Sequence, residues 1–170
     1  SKLRPHGYRR HISPTCPEAK EIAIDTENRD PYLKSKGPGF IRQDGYVAGF
    51  GVASDTGFRG YFPVAHLGGG NLDATVVRSW LREQCAYPNV DYVFANAQYD
   101  LGWLRSSGVE VRGKINDICI ADTLLDEERP DGYSLEALAK RWLGVGKNEK
   151  LLREAAQNWG LDAKADLWKL

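Results

Sequence analysis

Methionine is absent from all 170 residues, and the sequence opens at Ser1. The reading is therefore of a processed or excised piece whose natural start lies elsewhere. Cysteine is scarce. Cys16, Cys85 and Cys119 are odd in number, widely spaced and without a Cys-x-x-Cys pair, which argues against a disulfide framework and for reduced thiols. His6, His11 and Cys16 are evenly spaced near the N-terminus, but no fourth ligand stands nearby to complete a structural zinc site. No apolar run approaches the roughly 20 residues that cross a bilayer, and no secretory leader is visible. The expectation is a soluble cytoplasmic protein with no membrane partner. Net charge is missing too: 23 basic and 23 acidic residues cancel, which argues against a protein that coats nucleic acid but not against one that grips a few nucleotides. Internal repeats and low-complexity tracts are absent.

What is present suits one domain. An apolar content of 42% in a chain of this length can fill a full core. Residues 1–20, with Pro5, Pro14 and Pro17, read as an irregular lead-in, and the domain proper spans 21–170. Tyr46 to Ala53 and Arg59 to Val64 are strand-like runs around the hairpin signal Ser54-Asp55-Thr56-Gly57. The 28–45 stretch, with Pro31, Gly37, Pro38 and Gly39, predicts a long loop with a basic tip of Lys34, Lys36 and Arg42. Val76, Val77, Trp80 and Leu81 recur at helical spacing behind Asp73 as N-cap. A strand over 91–97, a helix over 98–106 and a short fifth strand at Lys114 to Asn116 follow. Asp117 heads a short helix of Ile118, Ala121 and Leu125, Ser134 caps another of Leu135, Leu138, Ala139 and Trp142, and Leu151, Ala155 and Trp159 mark a third. Residues 163–170 read as an unfinished amphipathic helix.

The chemistry lies in two segments. Asp25-Thr26-Glu27 closes the apolar run Ile22-Ala23-Ile24, and strand alternation puts Asp25 and Glu27 on one side with Thr26 opposite. Two adjacent carboxylates repel unless a cation lies between them, and all-oxygen ligation suits hard ions such as Mg²⁺ or Mn²⁺. Asn96-Ala97-Gln98-Tyr99-Asp100 closes the second run, Asp91 to Ala95.

Asp-x-Glu after a strand, with Asn-x-x-x-Asp about 70 residues later, resembles the first two motifs of the DEDD 3′-to-5′ exonucleases. Three segments extend the resemblance to the proofreading domain of family A, DNA polymerase I-like polymerases, most like phage versions: Tyr61 to His66, Asn96 to Leu104 and Tyr133 to Gly144. It covers roughly residues 20–170. The order of strands and helices matches the α/β, ribonuclease H-like fold, a mixed five-stranded sheet with flanking helices.

The resemblance implies hydrolysis of terminal phosphodiesters of DNA, releasing nucleoside 5′-monophosphates, with two divalent ions, Mg²⁺ or Mn²⁺, as cofactors. It implies that Asp25 bridges the ions, Glu27 binds the nucleophile-side ion, and Asp100 holds the second. Thr26 offers its backbone N–H to the terminal 3′-hydroxyl, and Asn96 hydrogen-bonds the substrate. The implied partners are a single-stranded DNA 3′ end and a polymerase domain of the same natural chain, in the host cytoplasm if the protein is phage-encoded. Each residue has a plainer reading as well. Asp25 and Glu27 read as solvated acids at a strand end, and Asp100 as an acid stabilised by a helix dipole. Trp103 reads as core, and Tyr99 equally as core or as a stacking platform. His66 reads as a structural hydrogen-bonder, Asp117 as an N-cap rather than a third-motif acid, and Asp122, Asp126, Glu127 and Glu128 as a solvated acidic face.

The family's fourth carboxylate is an Asp four residues after a Tyr or five after a His, beyond the 133–144 helix, and no residue fills that place. Asp162 and Asp166 have neither spacing. A chain that stops before its third motif is the favoured account, and a degenerate nuclease the other. Two further functions stay open: a free-standing RNase D-like exoribonuclease, and a catalytically silent nucleic-acid-binding module.

Overall fold

A computed structural model describes residues 18–146, 150–162 and 166–170. His6, His11, Cys16 and nearly all of the proposed lead-in lie outside the described residues. Five strands form one sheet: β1 (Glu21–Arg29), β2 (Tyr46–Ser54), β3 (Arg59–Pro63), β4 (Asp91–Phe94) and β5 (Lys114–Asp117). Their order is β3-β2-β1-β4-β5. β1 pairs antiparallel with β2 and β2 with β3, whereas β1–β4 and β4–β5 are parallel. This is the mixed α/β sheet expected. The helices are α1 (Leu33–Lys36), α2 (Gly39–Arg42), α3 (Ala74–Gln84), α4 (Ala97–Ser106), α5 (Ile118–Leu125), α6 (Leu135–Leu143) and α7 (Lys150–Asn158). No described helix is long and apolar enough to cross a membrane.

The central strand sets the layers. Along β1, Ile22, Ile24 and Thr26 are buried while Glu21, Ala23 and Asp25 are exposed, the two-residue period of a strand with one face on the core. On the buried side Ile22 and Ile24 join Phe50, Val52 and Phe62 of the hairpin and meet Val77, Trp80 and Leu81 of α3 and Trp103 and Leu104 of α4. Trp103 is a core residue, as read. The caps also fall as read: Asp73 accepts from the amides of Thr75 (2.8 Å) and Val76 (3.3 Å), and Ser134 accepts from that of Ala137 (3.2 Å).

Several boundaries differ from expectation. β1 runs on to Arg29 because β2 continues to pair with it, through a bulge between Glu27 and Asn28, so the two acids lie within the strand rather than at its end. The 28–45 stretch is not an open loop. Asp30, with a side chain only 3% exposed, accepts from the Gly39 amide (2.9 Å), Tyr99 Oη (3.0 Å) and Arg42 Nη2 (3.5 Å), tying α1 and α2 down onto α4. Arg42 is therefore no part of a basic tip. It chelates Asp44 through Nε and Nη2, both at 2.8 Å. Asp122 is corrected likewise. It is buried, receives Trp142 Nε1 at 2.8 Å and pairs with Arg129 and Arg141, while Asp126, Glu127 and Glu128 are exposed. A carboxylate with that many donors is stable inside where a lone one is not. The last described residues form a turn of 3₁₀ helix at Leu167–Lys169 rather than an amphipathic helix. Trp159 lies one residue past α7 and is exposed.

Replacing Asp30 by Ala strands the Gly39 amide and the Tyr99 hydroxyl and leaves Arg42 only Asp44 as its carboxylate partner. Urea unfolding should show a loss of about 3 kcal/mol, with new protease cleavage confined to 31–45.

Candidate active site

The site is built on the solvent-facing side of β1. Asp25 pairs with Gly51, which pairs with Tyr61, and Glu27 pairs with Gly49, which pairs with Pro63. One row further back, Ala23 pairs with Ala53 and Ala53 with Arg59. Directly paired residues share a face. The two acids therefore border a floor of small residues on β2, with Arg59 and Tyr61 of β3 along its far side, two strand spacings or about 10 Å from β1. The acids themselves are about 7 Å apart along the strand. Asp25 is exposed and Glu27 half-buried.

Asp100 reaches the same strand from the other direction. β4 pairs with β1 only from Glu21 to Ala23, and beyond that point the carboxylate of Asp100 occupies the edge. Its Oδ1 accepts the Thr26 amide (3.1 Å) and the Thr26 hydroxyl (2.6 Å), and Asn28 Nδ2 donates to that hydroxyl in turn (2.8 Å). The Thr26 amide expected for a terminal hydroxyl is thus committed to Asp100, because an unpaired edge amide in a buried place needs an acceptor. Asp100 is only 3% exposed. Burial, its largest influence, pushes its carboxyl up to about 6; the bonds from Thr26 oppose the shift, while the charges of Asp25 and Asp117 add to it. Asp25 is thus electrostatically coupled to Asp100, although one projects from the open face and the other bonds the edge beside the buried face.

Two clefts meet at Asp25. A cleft of about 530 Å³ is lined by Ala23, Gly51, Arg59 and Tyr61 of the sheet with Ile118 and Leu135 of α5 and α6. The other, about 600 Å³, is more polar and holds Asn96, Gln98, Asp117, Thr123, Tyr133 and Ser134. Asn96 stands at the end of β4 in the left-handed region, φ 76°, which Asn tolerates better than most residues. Its side chain does not cap α4. That task falls to Asp117, which accepts from the Ala97 amide (2.7 Å) as well as from Cys119 (2.9 Å) and Ile120 (3.2 Å), so one carboxylate holds the starts of α4 and α5 together. Tyr99 is half-buried; it bonds Asp30 and packs edge-on against Phe40 and Trp103, with ring centroids 6.3 Å away in each case. Among the described residues, no group of three or more His, Cys, Asp or Glu side chains is placed closely enough to hold a metal ion.

The sequence reads Gly49, Gly51, Arg59 and Tyr61 as strand residues, Tyr61 also within the resemblance, and not as parts of the site. Part of the signal is there: counting back from the 54–57 turn with a two-residue period puts both glycines on one face with Arg59 and Tyr61, but the turn does not set their register against the acids of β1. Asp30 left no such trace, since its donors come from turns that no periodicity predicts.

No protein-family model matches the chain. Its fold is shared with known nucleases. It superposes on the RNase D–GMP complex of Trypanosoma brucei with TM-score 0.63 at 15% identity, over 91% of this chain and 44% of that one. It superposes on Brucella melitensis NrnC with bound Mg²⁺ with TM-score 0.52 at 15% identity, over 78% and 58%. These likenesses show the ribonuclease H-like fold. In sequence, the chain is 44% identical over 160 residues to a DNA-directed DNA polymerase of Pseudomonas phage M6, a match that covers 92% of this chain and 24% of the polymerase. The chain is a homologue of part of a phage DNA polymerase and spans about a quarter of that relative's length. The resemblance to a phage DNA polymerase and the ribonuclease H-like fold, both read from the motifs and the order of elements, are borne out.

Asp100 holds its proton to about pH 6 in the folded state, against an ordinary 3.8. The folded state therefore binds this proton more tightly than the unfolded chain, so the stability it adds is complete below about pH 4 and is lost as pH rises towards 6. Urea unfolding in EDTA should show that decline for the wild type relative to Asp100→Asn, whose carboxamide does not titrate.

Proposed function

We propose that this chain is the metal-dependent 3′-to-5′ exonuclease part of a phage-type DNA polymerase, trimming single-stranded 3′ ends to nucleoside 5′-monophosphates. The observation that carries the reading is Asp25 and Glu27 side by side on a small-residue floor, with buried Asp100 bonded to Thr26, the residue between them. Like charges at this spacing are relieved by a cation. The donors are all carboxylate oxygens, and a set too sparse to enclose an ion suits Mg²⁺ or Mn²⁺, which keep waters and take few protein ligands. The Mg²⁺ in NrnC and the GMP in RNase D support the reading by fold analogy.

Asp25, Glu27 and Asp100 are the residues proposed to hold two such ions. When bound, the ions supply a water of lowered pKa and a positive charge for the leaving 3′ oxygen. The protein's own part is positioning. Asp25, at the junction of the two clefts, faces the scissile group. Thr26 acts through Asp100, fixing the orientation of that carboxylate by two bonds. Asn96 lines the polar cleft, where it is proposed to hydrogen-bond the substrate. Tyr99, held by Asp30 and packed against Phe40 and Trp103, offers a stacking role only through the exposed part of its ring. The polymerase remainder of the homologue supplies the proposed partner domain, and the host cytoplasm the proposed location. The absent fourth carboxylate lowers the expected rate.

The likeness to RNase D gives the second reading, an exoribonuclease. A 5′-labelled single strand of DNA with Mg²⁺ or Mn²⁺ should yield a descending ladder, slowed by Asp25→Ala on the order of a hundredfold or more. An RNA strand degraded in preference would establish the second reading instead. Single-strand binding without cleavage in either metal, unaffected by Asp25→Ala, would leave a silent binding module.

A further inference from the structure

The far wall of the open face has no role in the account so far. Tyr61 stands on β3 in the same row as Asp25 and Gly51. Its ring leans towards Gly49, whose missing side chain makes room for it: a Cβ at Gly49 would overlap the Tyr61 hydroxyl and lie 3.0 Å from its Cε2. Gly49 is paired with Glu27, so the ring is aimed along the floor at the second acid. Burial, then Glu27 and Asp25, push the Tyr61 hydroxyl above its ordinary range, as nearness to both carboxylates requires.

The ring is also held. His66 Nε2 is 2.6 Å from the Tyr61 hydroxyl, and His66 Nδ1 is 3.2 Å from the carbonyl oxygen of Leu167. A carbonyl only accepts, so Nδ1 carries the proton of the neutral imidazole and Nε2 accepts from Tyr61. The backbone around His66 is fixed in turn by Asn71, which accepts from the His66 amide and donates to its carbonyl, both at 2.8 Å. The Tyr61 proton is thereby committed, and what Tyr61 offers a ligand is an aromatic surface, 47% of the residue being exposed.

We propose that Tyr61 is a substrate-positioning residue, its ring fixed by His66 over Gly49 and forming the wall against which the base or sugar of the terminal nucleotide is held beside Asp25 and Glu27. The proposal rests on the nuclease reading of the site. A planar, tethered surface whose hydroxyl end lies over Gly49, about 5 Å or one strand spacing from Glu27 on β1, contributes by stacking, which tolerates any base.

Anisotropy of a short 5′-fluorescein oligothymidylate in EDTA reads this role without hydrolysis. Tyr61→Ala should weaken binding by about tenfold. Tyr61→Phe, which keeps the ring, should stay within about threefold of wild type. Gly49→Ala, which keeps Tyr61 but displaces it, should also weaken binding, and thermal melting of each variant separates these effects from misfolding. If the wild type binds and Tyr61→Ala binds equally well, the wall is refuted while the nuclease reading stands. If Tyr61→Phe loses as much as Tyr61→Ala, the hydroxyl rather than the ring is at work, and the proposal fails. A wild type that neither binds nor cuts the strand overturns both.

Discussion

The hydrogen bonds from Thr26 to Asp100 join the strand that carries two acids to the helix that carries a third. β1 is the middle of the sheet, bonded to β2 along its length but to β4 only over its first residues. Where β4 stops, the edge of β1 would otherwise present an unpaired amide to the core, at a cost of roughly 1 to 3 kcal/mol. A carboxylate from the first turn of α4 fills that gap and gains from the positive end of the helix. The same bonds bring a buried acid within electrostatic reach of Asp25; burial first, and the charge of Asp25 after it, raise the pKa of Asp100. Structural need and a charged site are here met by one side chain.

Around that joint the fold divides its two faces by residue size. The buried face of β1 and β2 is built from Ile22, Ile24, Phe50 and Val52, which pack on α3 and α4. The other face is paved with Ala23, Ala53, Gly49 and Gly51. Large residues there would have closed the clefts. Small ones leave the acids bordering an accessible trough that α5 and α6 flank through Ile118 and Leu135. Asp117 and Asp30 are the supporting carboxylates of this arrangement, one fastening the starts of α4 and α5 and the other fastening the 31–45 turns to Tyr99.

Much of this was legible in the sequence. The alternation around Asp25 put it on one face with Glu27, the hairpin followed from its turn residues, and Asp73, Asp117 and Ser134 announced their helices, because such signals are local and rest on backbone geometry. What stayed hidden depends on distant partners. Nothing near Asp122 shows that Arg129, Arg141 and Trp142 will enclose it. Nothing in the 28–45 stretch marks Asp30 as buried, and the motif that suggested a free Thr26 amide is silent about where β4 ends. The extension of β1 past its acids likewise depends on the length of β2.

The central claim is that Asp25, Glu27 and Asp100 together hold divalent cations. Titration of Mn²⁺ into the wild type, Asp25→Asn and Asp100→Asn, followed by the loss of the free-ion electron paramagnetic resonance signal, tests it most directly. The account predicts binding to the wild type that weakens sharply in both variants, whose carboxamides have no charge to neutralise. Binding that is equal in all three proteins, or a wild type that binds no Mn²⁺, would contradict it.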